Sequence, residues 1–339
     1  MKFSTITTKT PLYKKRIFKI IVKLLSAVIV LAGLYFGYRS ATKEDVKEAI
    51  KTELEKSGIS PPESFERIKE EIGKSYQEVG ESVYKTIEQA SIALEDENYA
   101  EAESLYKHLI FLFPDVAEIR FNLAATYYHQ GKLDRAFEEL KRAIGIKHDY
   151  PQAHNNIGVV FYYQKNLDSA IIEYQRALEI DSSYFDAYSN LGSALLAKGK
   201  VNEAIKALQK AVELNPSEGG FHSNLGSALK ANGNYFEAIQ EYKIAIKIDS
   251  SEAAFYYNLG NVYLAIDSLD KAELYFRKAI SLGPKYASAH ANLGVVLRRQ
   301  WRLEDAIKEY EIALSSNPND TITIKNLDIV RSILKENGR

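Results

Sequence analysis

The sequence contains no cysteine among its 339 residues. Disulfides, zinc–thiolate sites, cysteine nucleophiles and a lipidated N-terminal cysteine are therefore excluded, while the redox compartment stays open. Acidic residues are missing from residues 1–38, which carry seven basic side chains. The remaining residues hold 37 basic against 45 acidic side chains, so the body of the chain has no excess positive charge for nucleic-acid phosphates. We expect no nucleic-acid partner.

Residues 17–38 are predicted to form a transmembrane helix. Leu24–Tyr38 contains no charged side chain, and extension back to Ile17 gives 22 residues. As a helix this is about 33 Å, which spans the roughly 30 Å core of a bilayer. Lys19 and Lys23 fall within the extension, where long side chains reach the interface. A cleaved signal peptide is the alternative, but the apolar run ends in tyrosines rather than small residues.

The charges on either side of this segment predict its topology. Residues 1–16 are basic, whereas basic residues after the segment alternate with acidic ones. The positive-inside rule then places the N-terminus in the cytoplasm and the rest of the chain outside it, which means the periplasm in a bacterium. We expect a single-pass membrane protein of this orientation. A receptor on an organelle surface, with its body in the cytosol, is the alternative.

Residues 39–82 are predicted to be a charged helical linker without a core of its own. Apolar residues recur at helical spacing in its second half. This stripe consists of Phe65, Ile68, Ile72, Tyr76, Val79 and Val83. It either folds back onto the next part of the chain or pairs with a second copy as a short coiled coil. A glycine pair at Gly33 and Gly37 offers a second route to a homodimer, through the anchor.

A 34-residue repeat occupies most of the remaining chain, and aligning the units requires no gap. Seven units are followed by a capping helix and tail at 321–339. The units are 83–116, 117–150, 151–184, 185–218, 219–252, 253–286 and 287–320. Because each unit exposes an apolar face that only a neighbour covers, the array is predicted to fold as one continuous stack.

Small residues recur where two helices of a unit must touch. In the fourth unit these are Gly192 at position 8 and Ala204 at position 20, while Leu195 and Leu208 fill positions 11 and 24. This pattern resembles the tetratricopeptide repeat. The resemblance implies an all-α fold, a right-handed α-solenoid of seven helix pairs with a C-terminal capping helix. The transmembrane helix predicted above from residues 17–38 would precede it.

Motifs for catalysis and cofactor binding are not found. Gly192–Lys200 has the wrong glycine spacing for a phosphate-binding loop. His154, His222 and His290 all occupy position 4, in alternate units, so they lie too far apart to share a metal. We expect helix-packing histidines, no cofactor, no metal and no enzymatic activity. Trp301 replaces a turn glycine and is either a turn residue or an exposed contact point.

Position 6 is asparagine in six successive units and in the capping helix, although asparagine is a poor helix former. The row consists of Asn122, Asn156, Asn190, Asn224, Asn258, Asn292 and Asn326. First helices line a concave groove in tetratricopeptide arrays, so the resemblance implies that the row faces this groove. It is similar to the asparagine ladder of O-linked N-acetylglucosamine transferase, whose amides hold a polypeptide backbone. The alternative is that the amides bond to the adjacent repeat.

The predicted groove residues beside the asparagines change along the array. Aromatic residues come early, at Phe121, Tyr128, Tyr162 and Tyr163, and serines occupy the middle. Basic residues come late, at Arg298, Arg299 and Lys325. We therefore expect a partner segment with apolar side chains at one end and acidic side chains at the other. Because position 6 is never basic, the chain departs from the carboxylate-clamp subgroup that binds chaperone C-termini.

Together these features predict a membrane-tethered scaffold. It binds an extended segment of a partner protein in its groove and supports assembly of a membrane or envelope complex. Two alternatives stay open: an adaptor that presents substrates to a separate enzyme such as a glycosyltransferase, and a targeting receptor on an organelle surface.

Overall fold

The computed structural model describes residue 83 and residues 85–337. The predicted basic segment, transmembrane helix and linker at 1–82 lie outside the described residues. Within them the chain forms fifteen helices and no strand, and none of these helices is long and apolar enough to cross a membrane. The contacts divide the chain into two units. We call residues up to Val160 the N-terminal unit and residues from Phe161 onward the C-terminal unit.

The helices alternate as first and second helices of successive repeats, and odd numbers are first helices. They are α1 (85–95, with residue 83 also helical), α2 (Tyr99–Leu112), α3 (Ala117–His129), α4 (Leu133–Ile146), α5 (Pro151–Tyr163), α6 (Leu167–Ile180), α7 (Phe185–Ala197), α8 (Val201–Leu214), α9 (Gly219–Ala231), α10 (Tyr235–Ile248), α11 (Ala253–Ala265), α12 (Leu269–Leu282), α13 (Ala287–Arg299), α14 (Leu303–Ser316) and α15 (Thr321–Asn337). The predicted all-α stack of helix pairs is confirmed within each unit.

Close contact between the two helices of a repeat depends on the small residues at positions 8 and 20. A Cβ atom built on Gly260 would lie 2.8 Å from ring atoms of Phe276, and one on Gly294 would lie 2.6 Å from the ring of Tyr310. Both rings are fully buried. The glycine thus makes room for a large side chain at position 24 of the partner helix.

Every repeat turns between its helices through one left-handed residue at position 15. Glycine fills this position at Gly131, Gly199 and Gly233, with φ values of 73°, 79° and 83°. The same turn forms at four other residues, Glu97, Lys165, Asp267 and Trp301, with φ between 58° and 64°. A left-handed conformation costs a non-glycine residue about 1 kcal/mol or more, so packing of the flanking helices imposes it.

The two ends of the array are built differently from its middle. In interior repeats, positions 3 and 7 of the first helix are buried, as at Ala289 and Leu293. In the first repeat these positions are Lys85 and Gln89, and both are exposed. The last helix, α15, instead buries Thr323, Leu327 and Val330 against the seventh repeat. The first repeat therefore has polar residues, Lys85 and Gln89, at positions that are apolar and buried in later repeats, and the predicted capping helix covers the seventh repeat.

Position 4 joins neighbouring repeats by hydrogen bonds. The imidazole of His222 places Nε2 3.0 Å from the carbonyl oxygen of Pro216 in the preceding repeat. Its Nδ1 lies 2.6 Å from Oε2 of Glu241 in its own repeat. His290 repeats this arrangement with Pro284 and Glu309, at 3.1 Å and 2.6 Å. These two histidines therefore tie helices together, as their equivalent positions in the repeat predict.

Replacing Gly260 with alanine should destabilise the array by about 1 to 3 kcal/mol, because the added methyl group enters the space of the buried Phe276 ring. Gly145 offers a matched control, since a Cβ there meets nothing within 4 Å. Gly145→Ala in helix α4 should stabilise by about 0.5 to 1 kcal/mol. Thermal unfolding followed by circular dichroism measures both. Equal shifts of the same sign would contradict this account of position 8.

Glu103 should contribute stability that acid removes. Burial tends to raise its carboxyl pKa, but hydrogen bonds from Lys107 and Lys132, at 2.6 Å and 3.0 Å, outweigh burial and hold the pKa at about 2. Because the folded pKa lies below the usual value of about 4.5, the contribution is complete above that pH and disappears as pH falls toward 2. Thermal melts of Glu103→Gln should therefore lose part of this acid dependence, whereas melts of the exposed Glu138→Gln should retain it.

Candidate functional site

Each first helix has one face that packs neither against the neighbouring repeat nor against the second helix of its own repeat. Positions 3, 7 and 10 are buried in repeats after the first, and position 8 faces the repeat's own second helix, as Gly260 faces Phe276. Positions 2, 5, 6, 9, 12 and 13 lie on a separate side of the helix, which we call the groove face. In the C-terminal unit, successive first helices from α7 to α15 are in contact. Their groove faces therefore adjoin.

In the C-terminal unit the asparagine row lies along this face. Asn224, Asn258 and Asn292 are half-buried. Nδ2 of Asn224 donates to Oγ of Ser189 at 3.0 Å, and Nδ2 of Asn258 donates to Oγ of Ser223 at 3.4 Å. Each acceptor occupies position 5 of the preceding repeat. The amides therefore bond to the adjacent repeat, as the alternative interpretation of the row states.

The side-chain amide of Asn292 also donates to the preceding repeat. Its Nδ2 donates to Oη of Tyr257 at 3.3 Å and to Oδ1 of Asn261 at 2.6 Å. Both acceptors belong to the preceding repeat and to the groove face. An asparagine carbonyl oxygen also accepts hydrogen bonds, and these contacts occupy only the nitrogen. Asn224, Asn258 and Asn292 therefore link successive repeats through their side-chain nitrogens.

Serine hydroxyls hold the middle of the face in place. Oγ of Ser227 donates to the carbonyl oxygen of Ser223 at 3.0 Å and lies 2.9 Å from Oη of Tyr242. Burial raises the pKa of Tyr242 to about 12 despite its bond to Ser227. The tyrosine therefore stays protonated at neutral pH and donates to the serine. These bonds fix the hydroxyl of Ser227 at position 9; the acceptors of the asparagine row are other hydroxyls, on Ser189 and Ser223.

The predicted site residues between 121 and 190 are more deeply buried than the later asparagines, with three tyrosines as exceptions. Asn122, Asn156 and Asn190 are buried rather than half-buried. Phe121 is fully buried, and its ring stacks on Tyr150 with centroids 5.1 Å apart. The ring of Phe121 therefore packs on Tyr150, and its contact with a ligand stays a prediction. The remaining predicted aromatics reach the surface: Tyr128 and Tyr162 are half-buried, and Tyr163 is exposed.

The predicted basic residues at the end of the array have distinct environments. Arg299 is exposed and forms an ion pair with Asp267 at 3.2 Å. Arg298 is half-buried, and its Nε is buried without a hydrogen-bond partner among the described residues. Lys325 is exposed and Asn326 half-buried on α15. The guanidinium of Arg298 also interacts with the hydroxyl of Tyr310 in its own repeat and opposes the rise that burial causes in the pKa of that tyrosine.

Lys230 is a further cation on this face, and the sequence analysis missed it. It occupies position 12 of the fifth repeat, the position that Arg298 occupies in the seventh. Burial lowers the pKa of its ammonium group, and no ion pair among the described residues offsets this. The signal was available in the sequence, because position 12 is leucine in the repeats on either side, at Leu196 and Leu264.

Lys230→Met should raise the thermal stability of the protein at neutral pH. The folded pKa is lowered, so the folded state disfavours the charged ammonium group, and removing it relieves this penalty. The advantage should shrink as pH rises through the folded pKa, where the lysine becomes neutral. Lys210→Met is the control, because a hydrogen bond to Glu213 at 2.8 Å raises the pKa of Lys210 instead of lowering it. A lower melting temperature for Lys230→Met would contradict this reading.

Comparison with known proteins identifies the repeat. A family model described as TPR repeat matches residues 125–165, 160–199, 192–233 and 226–267. A second model, described as tetratricopeptide repeat, matches residues 257–321. A comparison with curated protein sequences found no match.

Solved structures share the fold at low sequence identity. A chain of the APC/C hetero-tetramer Cut9-Hcn1 has a TM-score of 0.64 at 19% identity, over 72% of this chain and 48% of that one, so this chain spans about half its length. A tetratricopeptide repeat protein from Parabacteroides merdae has a TM-score of 0.59 at 17% identity, over 74% and 99% of the two chains. Pseudomonas aeruginosa pilF has a TM-score of 0.55 at 17% identity, over 64% and 96%.

Proposed function

Because residues 125–321 of this chain belong to the tetratricopeptide repeat family, we propose that it is a membrane-tethered scaffold whose groove face binds an extended segment of a partner protein. Members of this family are non-enzymatic scaffolds that bind peptides or proteins. The proposal has three specific parts: the face that binds, the chemistry of the partner segment and the membrane tether.

The asparagine row of the C-terminal unit carries the proposal. The Nδ2 atoms of Asn224, Asn258 and Asn292 are held by the preceding repeat, so the side chains are oriented before any ligand arrives. Half-buried amide oxygens in a fixed row suit the backbone N–H groups of an extended chain. With first helices about 10 Å apart and about 3.3 Å per extended residue, one oxygen meets roughly every third residue of the partner.

The cations of the same face indicate the chemistry of the partner's side chains. Lys230 has a lowered pKa through burial, and Arg298 is a half-buried cation at the same position 12 of its repeat. An acidic side chain on the partner would pair with either cation. The two cations lie two repeats apart, or about 20 Å, which corresponds to roughly six residues of an extended segment. We therefore propose a partner segment with two acidic residues at about this spacing.

The membrane tether is the remaining part of the proposal. Its support is the sequence of residues 17–38, which lies outside the described residues, and the basic head before it. The tether would hold the repeats next to an envelope complex, with the repeats on the extracytoplasmic side. The similarity of the asparagine row to the O-linked N-acetylglucosamine transferase ladder stays a prediction, as does a homodimer through the anchor or linker.

The binding prediction uses extended peptides selected on the full-length protein from a random 12-residue display library. Replacing Asn224, Asn258 and Asn292 together with alanine should weaken the selected peptides by about 1.5 to 4.5 kcal/mol, because each amide contributes about 0.5 to 1.5 kcal/mol. Lys230→Met should in addition remove the preference for acidic residues. Titration by fluorescence polarisation measures both effects.

Asn202→Ala is the matched control, because Asn202 is exposed on the second helix α8. It should leave peptide affinity unchanged. A thermal melt of the triple variant shows whether the array remains folded, since the same amides also join repeats. Normal peptide affinity in a folded triple variant would mean that the row is structural only.

The topology prediction is tested independently of any ligand. In sealed spheroplasts of a bacterial host, protease added from outside should degrade the repeats if they lie beyond the membrane. Cytoplasmic repeats would be protected until the cells are lysed. Protection in intact spheroplasts would overturn the orientation while leaving the binding proposal in place.

A further inference from the structure

Large apolar side chains are exposed at the turns of the last three repeats. Phe236 and Trp301 are each 72% exposed, and Tyr235 and Ile266 are exposed to a smaller extent. These residues occupy positions 14, 15, 17 and 18, between the first and second helices of their repeats. At the same positions of the first four repeats, no large apolar side chain among the described residues is exposed. Exposure of apolar turn residues is therefore confined to the fifth, sixth and seventh repeats.

Trp301 holds the left-handed position of its turn, which glycine adopts without strain. Its φ is 59°, whereas Gly131, Gly199 and Gly233 fill the equivalent position of three other repeats. A left-handed backbone is unfavourable for a bulky side chain. Because most of the indole lies in water, its own burial does not offset this cost. The fold therefore gains nothing from a tryptophan here, which favours a role in binding.

The three turns lie side by side in the C-terminal unit. The first helices α9, α11 and α13 end at these turns, and each is in contact with the next. The last two turns are also joined directly, because Arg299 pairs with Asp267 at 3.2 Å and Nε2 of Gln300 donates to Asp270 at 3.2 Å. With helices about 8 to 10 Å apart, the three turns span about 20 Å. We call residues 235–237, 266–270 and 301–304 the turn edge.

The turn edge also carries negative charge that the protein does not neutralise. Glu237 and Glu304 are exposed, and neither forms an ion pair with another described residue. The cation Arg302 is already paired with two carboxylates, at 2.9 Å and 3.2 Å. Lys271 lies over the ring of Tyr263, 5.3 Å from its centroid. The turn edge therefore presents apolar side chains beside uncompensated carboxylates.

We propose that the turn edge is a second docking surface, which binds a partner segment that combines arginine with apolar side chains. A guanidinium group pairs with carboxylates and also stacks on aromatic rings, so it suits an edge that offers both. Two copies of this chain would bring like charges together here, and anionic lipids would repel the edge. About six residues of an extended segment would span the three turns.

The turn edge and the groove face prefer partner segments of opposite charge. The groove face of the C-terminal unit carries the cations Lys230 and Arg298, whereas the turn edge carries Glu237 and Glu304. The chain would therefore hold an acidic segment in its groove and an arginine-containing segment at its turns. Because the two surfaces share no residue, either one can be occupied alone.

Two peptides of about twelve residues, longer than the span of the three turns, test the proposal on the full-length protein. One alternates leucine with arginine, and the other alternates leucine with glutamate. Isothermal titration calorimetry measures both affinities. Trp301→Gly should weaken the arginine peptide about fivefold, because a cation–π contact is lost. The variant should melt at the same temperature as the unaltered protein or higher, since glycine adopts the left-handed turn without strain. Its affinity for the glutamate peptide should not change.

The carboxylates are tested by a double variant, Glu237→Gln with Glu304→Gln. It should weaken the arginine peptide about threefold and make its binding less sensitive to salt. The matched control is Glu179→Gln with Leu274→Ser, because both residues are exposed on second helices outside the turn edge. This control should bind the arginine peptide as the unaltered protein does.

Several results would overturn the proposal. Normal binding of the arginine peptide by Trp301→Gly would do so, and a lower melting temperature would mean that the indole serves the fold. Equal weakening by the control variant would assign binding to the acidity of the chain as a whole. Phosphatidylcholine vesicles that displace the peptide would assign the turn edge to a membrane. The triple asparagine variant of the groove face should bind the arginine peptide normally, so this proposal and the proposed function fail separately.

Discussion

Close approach of two helices is the constraint on which the rest of this structure depends. Alanine at position 20 of every repeat, and alanine or glycine at position 8, bring the helix pair together around one large side chain. At Gly260 and Gly294 no room exists for a Cβ beside that side chain. Once the pair is fixed, positions 3, 7 and 10 face the neighbouring repeat, and the groove face of the first helix lies outside both contacts. Helix packing thus determines where this face lies, whatever residues it carries.

The asparagine row of the C-terminal unit joins successive repeats by hydrogen bonds. Its nitrogens bond to position 5 of the preceding repeat, at Ser189, Ser223 and Tyr257. This use explains why a poor helix former recurs at the same place without any appeal to a ligand. It also orients the oxygens, which a free surface asparagine does not do. The structural and the binding interpretations of the row are therefore compatible, and affinity measured with a stable variant separates their contributions.

The sequence predicted the fold well because its signals are local and repeated. Period, small residues and apolar positions reappear seven times, and the first helices from α3 to α13 begin at the predicted first positions of their units. The site was harder to predict because exposure depends on neighbours. Phe121 was predicted to lie in the groove, and the structure shows its ring stacked on Tyr150. Lys230 was not predicted, although burial lowers the pKa of its ammonium group. Hydrogen-bond direction in the asparagine row also required coordinates, since spacing does not show which amide atom faces the next repeat.

The seventh turn has a consequence for how this molecule can be observed. Trp301 is the only tryptophan of the chain, it holds the left-handed position of its turn, and it is 72% exposed. An indole in water emits at nearly the same wavelength whether the chain around it is folded or not. The wavelength of its fluorescence therefore changes little when the array unfolds. Tyrosine is buried at position 24 in four repeats, and the fluorescence of these tyrosines does change on unfolding. A molecule that binds at the turns of the last repeats would remove this indole from water, and the fluorescence of Trp301 would report the binding.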